Sequence, residues 1–296
     1  MSVVSSGKII FCEGKPSSLD YKLLDRVVDS LQGDRCTIVP AGSKFGFSTF
    51  AEGYFSGKRA VNQKYIVFRD RDFDVKPTPN CGLLQLDNRS GNKPMDLSYR
   101  TCVENYLLDA DLIHTYWTEK YNEKQENPTT STWGHQNSPG VDRISESIET
   151  SARNLQHYQA VRWALGDLVN MRSAREHLKT TWTKKGKLPN SLNLQDCKNQ
   201  ALQLVNQFRL AVGAVTPEKF EDNLVSYQQR FNQEEFWTEK QYLIWFNGKD
   251  IQKGIQKQKQ GSTYISLNSF FEWAIGKLDI NQHPDLIELR TKIEQL

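Results

Sequence analysis

The sequence predicts an α/β protein, with a mainly parallel sheet flanked by helices in its N-terminal part and a mostly helical C-terminal region. Short apolar runs alternate with amphipathic segments up to about residue 110, which is the order of elements in a parallel sheet with helices packed on it. The third apolar run is continuous rather than alternating, as in strands buried on both faces. From Tyr106 onward, strand patterns largely disappear.

Four apolar runs predict the strands, at residues 8–12, 36–39, 64–68 and, more weakly, 82–86. Between the first two runs, leucines and valines recur at helical spacing from Leu19 to Leu31. This periodicity predicts a helix that Ser17 or Ser18 can cap. A second helix is expected at residues 45–54.

Helices also account for most of the second half of the chain. They are predicted over residues 103–116, 143–179, 193–211, 217–231, 234–246, 268–278 and 284–296. The stretch 122–142 is rich in Asn, Pro, Thr, Ser and Gly, which predicts a long exposed loop that is either mobile or functional. We therefore expect an α/β domain over residues 1–110 and a mostly helical region over 111–296.

The composition is that of a globular protein rather than a disordered one, with 296 residues of which 38% are apolar. A net charge of +3 is too small to predict nucleic-acid binding by itself. The five cysteines include no CxxC pair, which argues against a zinc site or a disulfide framework and favours reduced thiols in a cytoplasmic protein. The sequence shows no signal peptide and no apolar run that would span a membrane.

Acidic side chains follow two of the predicted strands at their carboxyl ends. Glu13 follows the first strand, and Asp70 and Asp72 follow the third. Ligands of parallel sheets collect at this edge, and converging carboxylates repel one another unless a cation lies between them. Oxygen ligands favour Mg²⁺ or Mn²⁺. Either acidic motif alone is more often a solvated turn, so the prediction depends on both strands together.

Basic residues near these carboxylates are candidates for binding substrate phosphate. They are Lys15, Lys44, Arg69 and Arg71. Gly14 permits a close approach of the backbone to a substrate. Lys249, in a Gly-Lys-Asp segment, either binds phosphate or compensates the dipole at the end of a helix. The run from Lys179 to Lys187 is either a nucleic-acid contact or a solvated turn.

Two segments resemble the motifs of Toprim domains. Phe11-Cys12-Glu13-Gly14-Lys15 is similar to the first motif, and the segment from Val67 to Asp74 is similar to the DxD motif. The "ENYL" segment, residues 104–107, and the "GKD" segment, residues 248–250, resemble the DUF4435 branch, which is related to the overcoming-lysogenisation-defect nucleases. The resemblance implies a nuclease with Glu13, Asp70 and Asp72 on Mg²⁺, and it makes Glu104 a further candidate metal ligand.

This branch includes the nuclease effector of the PARIS anti-phage defence system, and the likeness is greatest there. The resemblance therefore implies an endonuclease that cleaves tRNA once it is released from an ABC-type ATPase partner. A homodimer is a further expectation. Two alternatives stay open: a DNA-nicking nuclease, and a non-catalytic Toprim scaffold that docks an ATPase. Glu104 can equally be a surface or capping residue, and Asp74 can either assist the site or cap its loop.

Overall fold

A computed structural model describes residues 8–31, 36–42, 65–86, 95–169, 194–213, 215–257 and 266–296. Three sequence predictions lie outside these residues: the helix at 45–54, the phosphate contact of Lys44, and the basic run at 179–187.

A five-stranded sheet forms the N-terminal part of the fold. Its strands are β1 (Ile9–Cys12), β2 (Thr37–Pro40), β3 (Tyr65–Arg69), β4 (Leu84–Leu86) and β5 (Met95–Leu97). The strand order is β2-β1-β3-β5-β4. All neighbouring pairs are parallel except β4 and β5. The predicted α/β class, with its mainly parallel sheet and helical C-terminal region, is confirmed.

Burial on both faces explains the continuous apolar runs of the central strands. Every residue of β1 and β3 is buried. One face packs Phe11 and Tyr65 edge to face, with ring centroids 5.5 Å apart. Helix α1 (Leu19–Asp29) buries Leu23, Leu24, Val27 and Val28, and Ser18 caps its N-terminus by accepting a hydrogen bond from the backbone N–H of Tyr21. The predicted helix and its Ser18 cap are therefore confirmed.

The other α-helices described are α2 (Glu104–Leu107), α3 (Ala110–Glu126), α4 (Val141–Val169), α5 (Leu194–Gly213), α6 (Pro217–Phe231), α7 (Glu234–Thr238), α8 (Tyr242–Trp245), α9 (Gly248–Lys257), α10 (Leu267–Ala274) and α11 (Pro284–Glu294). A short 3₁₀-helix covers Ile280–Gln282. None of the helices in the described ranges has both the length and the apolar composition that a membrane span requires.

Two helix predictions need correction. The helix expected at 103–116 is broken, because Asp109 caps a new helix by accepting from the backbone N–H groups of Asp111 and Leu112. The helix expected at 234–246 is two short helices, since Lys240 between them has a positive φ of 51°. Helix α9 was not predicted.

The polar loop is shorter than predicted and is packed. It begins after α3 ends at Glu126. The indole N–H of Trp117 donates to the carbonyl of Gln136 at 2.7 Å, and the rings of Trp117 and Trp133 lie 6.0 Å apart, centroid to centroid. These contacts hold the loop on α3, so it is a structural part of the domain.

The chain divides into two compact units. One combines residues 1–156 with residues 234–296, and the other covers residues 157–233. The five α-helices from α7 to α11 belong to the same compact unit as the sheet, whereas the predicted division falls near residue 110. Within the second unit, Trp163 stacks on Tyr227 at 5.7 Å between ring centroids, and the hydroxyl of Tyr227 donates to Asp167 at 2.9 Å.

Candidate metal centre

The carboxyl edge of the sheet gathers three chain segments. Cys12 of β1 lies opposite Phe68 of β3, so Glu13 and Asp70 leave neighbouring strands at the same edge. Phe68 in turn pairs with Asp96 of β5. The segment that follows β5 therefore starts from this edge as well, and it leads to α2.

Hydrogen bonds hold the segment after β5 against the segment after β3. The backbone N–H of Ser98 donates to the carbonyl of Arg69 at 3.1 Å, and that of Asp72 donates to the carbonyl of Thr101 at 2.9 Å. The N–H of Arg71 donates to the hydroxyl of Ser98 at 3.1 Å. These bonds bring Glu104, the first residue of α2, beside Asp70.

Asn105 joins α2 to the segment that begins α9. Its side-chain carbonyl accepts from the backbone N–H of Gly248 at 2.9 Å, and its amide donates to the carbonyl of Phe246 at 2.9 Å. The side chain is fully buried, so losing either partner would leave a polar group unsatisfied. The "ENYL" and "GKD" segments are therefore one structural unit.

Gly248 is required at this junction because there is no room for a side chain. A Cβ atom there would lie 2.8 Å from both the backbone nitrogen and the side-chain oxygen of Asn105. Asn247 caps α9, accepting from the N–H of Lys249 at 3.1 Å. Lys249 thus lies in the first turn of α9, and the prediction that it compensates the dipole at a helix C-terminus is wrong.

An acidic pocket results, formed by Asp70 and Glu104 with Lys249, and Asp20 is near enough for its charge to raise the pKa of Asp70. Asp70 and Glu104 are 4% and 7% exposed. The ammonium group of Lys249 is 3.8 Å from Asp70 Oδ2 and 3.8 Å from Glu104 Oε2. One cation is therefore shared between two buried carboxylates.

The pocket has ligand atoms without hydrogen bonds. Asp70 Oδ1 and Glu104 Oε2 are buried and have no hydrogen-bond partner within the part of the chain that the structure describes. Asp70, Glu104 and Cys102 each offer one donor atom, and these atoms lie within 4.8 Å of one another. Unsatisfied buried oxygens of this kind are what a cation would coordinate.

Cys102 is occupied by structural hydrogen bonds. Its thiol donates to Asn105 Oδ1 at 3.0 Å, and its sulfur accepts from the N–H of Gly248 at 3.2 Å. Burial, with the charges of Glu104 and Asp70, raises the pKa of Cys102 well above its ordinary value. Because a thiolate is the form that binds metal, the oxygen donors define the site, and they favour a hard ion such as Mg²⁺ or Mn²⁺.

Mutual repulsion is visible in the ionisation of the carboxyl groups. Burial and the charges of Asp20 and Glu104 raise the pKa of Asp70 well above its ordinary value, against the opposing effect of Lys249. Burial raises the pKa of Asp20 to about 6, and Glu104 and Glu13 add to that increase. Conversely, Asp70 and Glu104 outweigh the effect of burial and raise the pKa of Lys249. Lys249 therefore does not offset the combined effect of burial and the neighbouring carboxylates on the pKa of Asp70.

Glu13 and Asp72 border this pocket, while Asp70 and Glu104 are within it. Glu13 is half-buried and acts on the pKa of Asp20 and of Cys12. Asp72 is half-buried, has a φ of 52° and contributes the smallest of the charges that raise the pKa of Asp70. The one three-donor group found in the described residues contains neither Glu13 nor Asp72, so their metal-binding role remains a prediction.

The predicted role of Arg71 in substrate binding is corrected. Its side chain is fully buried, and its guanidinium donates to the carbonyls of Val75, at 3.0 Å, and Ile244 and to the hydroxyl of Thr101 at 3.1 Å. Burial lowers its pKa to about 10, so it stays charged at neutral pH as a structural residue. Lys15, by contrast, is exposed near the edge of the sheet.

The neighbouring charges of this loop have structural partners. Arg69 forms an ion pair with Asp74, with Nη2 and Oδ2 2.7 Å apart, and the N–H of Asp74 donates to the carbonyl of Arg71 at 3.2 Å. Of the two roles considered for Asp74, these contacts favour closing the loop. Because Arg69 is paired with Asp74, it is no longer a candidate for binding substrate phosphate.

Asp20 is the acidic residue beside the pocket that sequence reasoning missed. It lies in the first turn of α1, where an acidic residue is usual because it interacts favourably with the helix dipole. Gly14 brings the chain close to it: with φ of 89°, a Cβ there would lie 3.7 Å from Asp20 Oδ2 and 2.8 Å from Ser18 Cβ. The Gly14 turn directly after Glu13 is the only local signal of this approach.

A large cavity lies elsewhere in the same unit. It has a volume of about 730 Å³, and Arg100, Tyr106 and His283 are among its lining residues. Asp70, Glu104 and Lys249 are not part of its lining. Among the described residues, buried ligand atoms without hydrogen bonds converge at the acidic pocket, and we therefore treat this pocket as the candidate site. Comparison with protein-family models and with curated proteins gave no match for this chain.

Proposed function

We propose that this protein is a metal-dependent nuclease that hydrolyses a phosphodiester at the acidic pocket. The observation that carries the proposal is the pair of buried carboxylates, Asp70 and Glu104, which have unsatisfied oxygens and share the single ammonium group of Lys249. A scaffold gains no stability from carboxylates that repel each other in a buried site. A divalent cation would offset that repulsion.

The ligand set fits Mg²⁺ or Mn²⁺. Asp70 and Glu104 would hold the ion, with Asp20 as a third oxygen donor and with Glu13 and Asp72 bordering the site. When bound, the ion would supply Lewis-acid stabilisation of the charge that develops on the phosphate and lower the pKa of a coordinated water. Lys249 would then be released from its ion pairs, and its ammonium group could bind a substrate phosphate oxygen.

The substrate and its biological setting follow from the resemblance to Toprim nucleases. On that basis we propose an endoribonuclease effector of an anti-phage defence system, which cleaves tRNA after release from an ABC-type ATPase partner and so arrests translation. The assembly of two copies is part of the same proposal.

One observation favours a non-catalytic scaffold as the second candidate. Lys249 already lies between Asp70 and Glu104, so the three side chains can be understood as a buried ion-pair network that only stabilises the fold. The two functions differ in their response to metal: the scaffold predicts neither binding of Mg²⁺ nor cleavage.

Incubation of the protein with total RNA and with supercoiled plasmid, in Mg²⁺, Mn²⁺ or EDTA, tests the proposal. We expect cleavage of RNA in either metal, no cleavage in EDTA, and loss of cleavage in Glu104→Gln and in Glu13→Ala. Glu119→Gln is the matched control, because Glu119 is an exposed glutamate of α3. Nicked plasmid with intact RNA would overturn the assignment of substrate, and no cleavage by the wild type would favour the scaffold.

A further inference from the structure

Helix α9 carries a stripe of lysines on one face. Lys249, Lys253 and Lys257 recur every four residues, so they lie above one another along the helix. The opposite face packs against the rest of the protein. Ile251 on this face is buried, and Gly254 lies so close to α4 that a Cβ there would be 3.2 Å from Ser151 Cβ. The packing therefore fixes the lysine stripe toward solvent.

The stripe begins inside the acidic pocket and leads away from it. Lys249 contacts Asp70 and Glu104, and its side chain is 48% exposed. The side chain of Lys253 is 68% exposed, and its ammonium group is 3.9 Å from Asp250 Oδ1. Asp250 is buried, but the pair is long and Lys253 is largely in solvent, so the pair is weak and does not prevent Lys253 from binding another anion. Lys257, at the end of α9, is exposed.

We propose that the lysine stripe of α9 binds the sugar–phosphate backbone of a polynucleotide and guides it into the acidic pocket. This inference rests on the proposed nuclease function. The rise of an α-helix places successive lysines of the stripe about 6 Å apart, close to the separation of neighbouring phosphates along one strand. A membrane surface would instead require a basic face bordered by exposed apolar side chains, whereas the apolar face of α9 packs inward.

The stripe also explains how a substrate would replace the ion pairs of Lys249. A phosphate bound by Lys253 places the next phosphate of the strand near Lys249, at the mouth of the pocket. Contacts of this kind carry no sequence information, because they are made to the backbone. The stripe would therefore set the affinity for polynucleotides and its dependence on salt, while the choice of cleavage site would depend on other residues.

The test uses the double variant Lys253→Ala/Lys257→Ala, which leaves the pocket unchanged. Binding of a labelled single-stranded RNA is measured by fluorescence anisotropy in EDTA over a range of salt concentrations. Loss of two phosphate contacts should weaken binding about tenfold at moderate salt and reduce the slope of log affinity against log salt by about 1 to 2. Lys120→Ala/Lys277→Ala is the control, since it removes the same charge from α3 and from the segment after α10.

Kinetics separate this inference from the proposed function. For RNA cleavage we expect KM to rise and kcat to stay the same in the double variant. Hydrolysis of the small diester bis(p-nitrophenyl) phosphate in Mn²⁺, and stabilisation by Mg²⁺, should not change. If the wild type cleaves the diester and the double variant binds RNA with unchanged affinity and salt dependence, the nuclease stands and the lysine stripe has no such role.

Two further outcomes decide the nature of the partner. If the double variant loses binding to phosphatidylserine vesicles or to polyglutamate but binds RNA as the wild type does, the polynucleotide assignment is overturned. If the wild type hydrolyses neither RNA nor the diester, yet the double variant shows the weaker RNA binding, the stripe binds polynucleotide in a protein that is not a nuclease.

Discussion

Two buried aspartates of the same unit have opposite surroundings. Asp285 is 2% exposed, and its carboxylate accepts hydrogen bonds from the N–H of Tyr99, at 2.9 Å, and from the hydroxyl of Tyr106. Asp70 is 4% exposed, yet its Oδ1 has no hydrogen-bond partner among the described residues. Burial raises the pKa of both, but at Asp285 the hydrogen bonds of Tyr106 and Tyr99 oppose that increase.

Under the proposed function, the difference separates a structural carboxylate, Asp285, from a metal-binding one, Asp70. Asp285 links α11 to α2 and is satisfied by its own protein. The charges of Asp20 and Glu104 instead raise the pKa of Asp70, and the charge of Lys249 opposes them. An arrangement that leaves a buried charge poorly compensated reduces stability, and functional sites are where proteins retain such arrangements.

Replacing each aspartate by asparagine should separate the two roles and gives the largest expected effect. Asp70→Asn should lower metal-dependent RNA cleavage about 100-fold or more, because it removes a metal ligand, while stability without metal is unchanged or increased. Asp285→Asn should reduce the free energy of unfolding by about 1–3 kcal/mol, since it weakens two buried hydrogen bonds, and should retain kcat. Cleavage rates and urea denaturation measure both; equal activity in the two variants would contradict the comparison.

The junction that joins the two motifs should be sensitive to one added methyl group. In Gly248→Ala the Cβ would meet both the backbone and the buried side chain of Asn105, neither of which can move without breaking its hydrogen bonds. We expect a loss of about 3 kcal/mol in the free energy of unfolding. Gly134→Ala is the control, because a Cβ at Gly134 has no atom within 4 Å in the described structure; a similar loss in the control would show that the effect is not due to this contact.

Removing Lys249 should make the stability of the protein depend on bound metal. Without Lys249, Asp70 and Glu104 lose the cation that they share, so Lys249→Met should be less stable than the wild type in EDTA. Saturating Mg²⁺ should then restore about 2–3 kcal/mol, the stabilisation expected at 100 times the dissociation constant, and the increase should exceed that of the wild type. Thermal denaturation measures it, with Lys253→Met as the exposed control; a variant that Mg²⁺ does not stabilise would support the scaffold.

The smallest expected effect is a dependence of the free energy of unfolding on pH, which is due to His283. Burial, together with the charge of Arg100, lowers the pKa of His283 to about 4, and its ring lies edge to face on Tyr106 with centroids 5.1 Å apart. The unfolded chain binds this proton near pH 6.5, so stability should fall as the pH decreases from about 6.5 to 4. His283→Asn should remove about 1–2 kcal/mol of that decrease in urea denaturation, an amount reduced for solvent screening.

The sequence predicts the part of the site that depends on local pattern. The apolar runs of β1 and β3 place Glu13, Asp70 and Asp72 at strand ends, and the Ser18 cap locates the start of α1. Strand β5 was not predicted because three residues, Met95–Leu97, are too few to establish a period. Glu104 therefore entered only through the resemblance to a family motif.

The remaining features depend on contacts between distant segments. Arg71 and Lys249 are both basic residues near acidic motifs, and no local pattern distinguishes them. Tertiary packing buries Arg71 among the carbonyls of Val75 and Ile244, and it brings Lys249 from a distant helix to Asp70. Asp20 was missed because its interaction with the helix dipole already explains an acidic residue in the first turn of a helix.

The bond between Asn105 and Gly248 connects residues 143 positions apart, and this separation has a consequence for biosynthesis. A ribosome completes Asp20, Asp70 and Glu104 long before it reaches Lys249, so an emerging polypeptide holds the acidic side chains without their ammonium partner. Contacts so far apart in the chain form slowly. The pocket, with Lys249 between Asp70 and Glu104, can therefore form only after translation has passed the second motif.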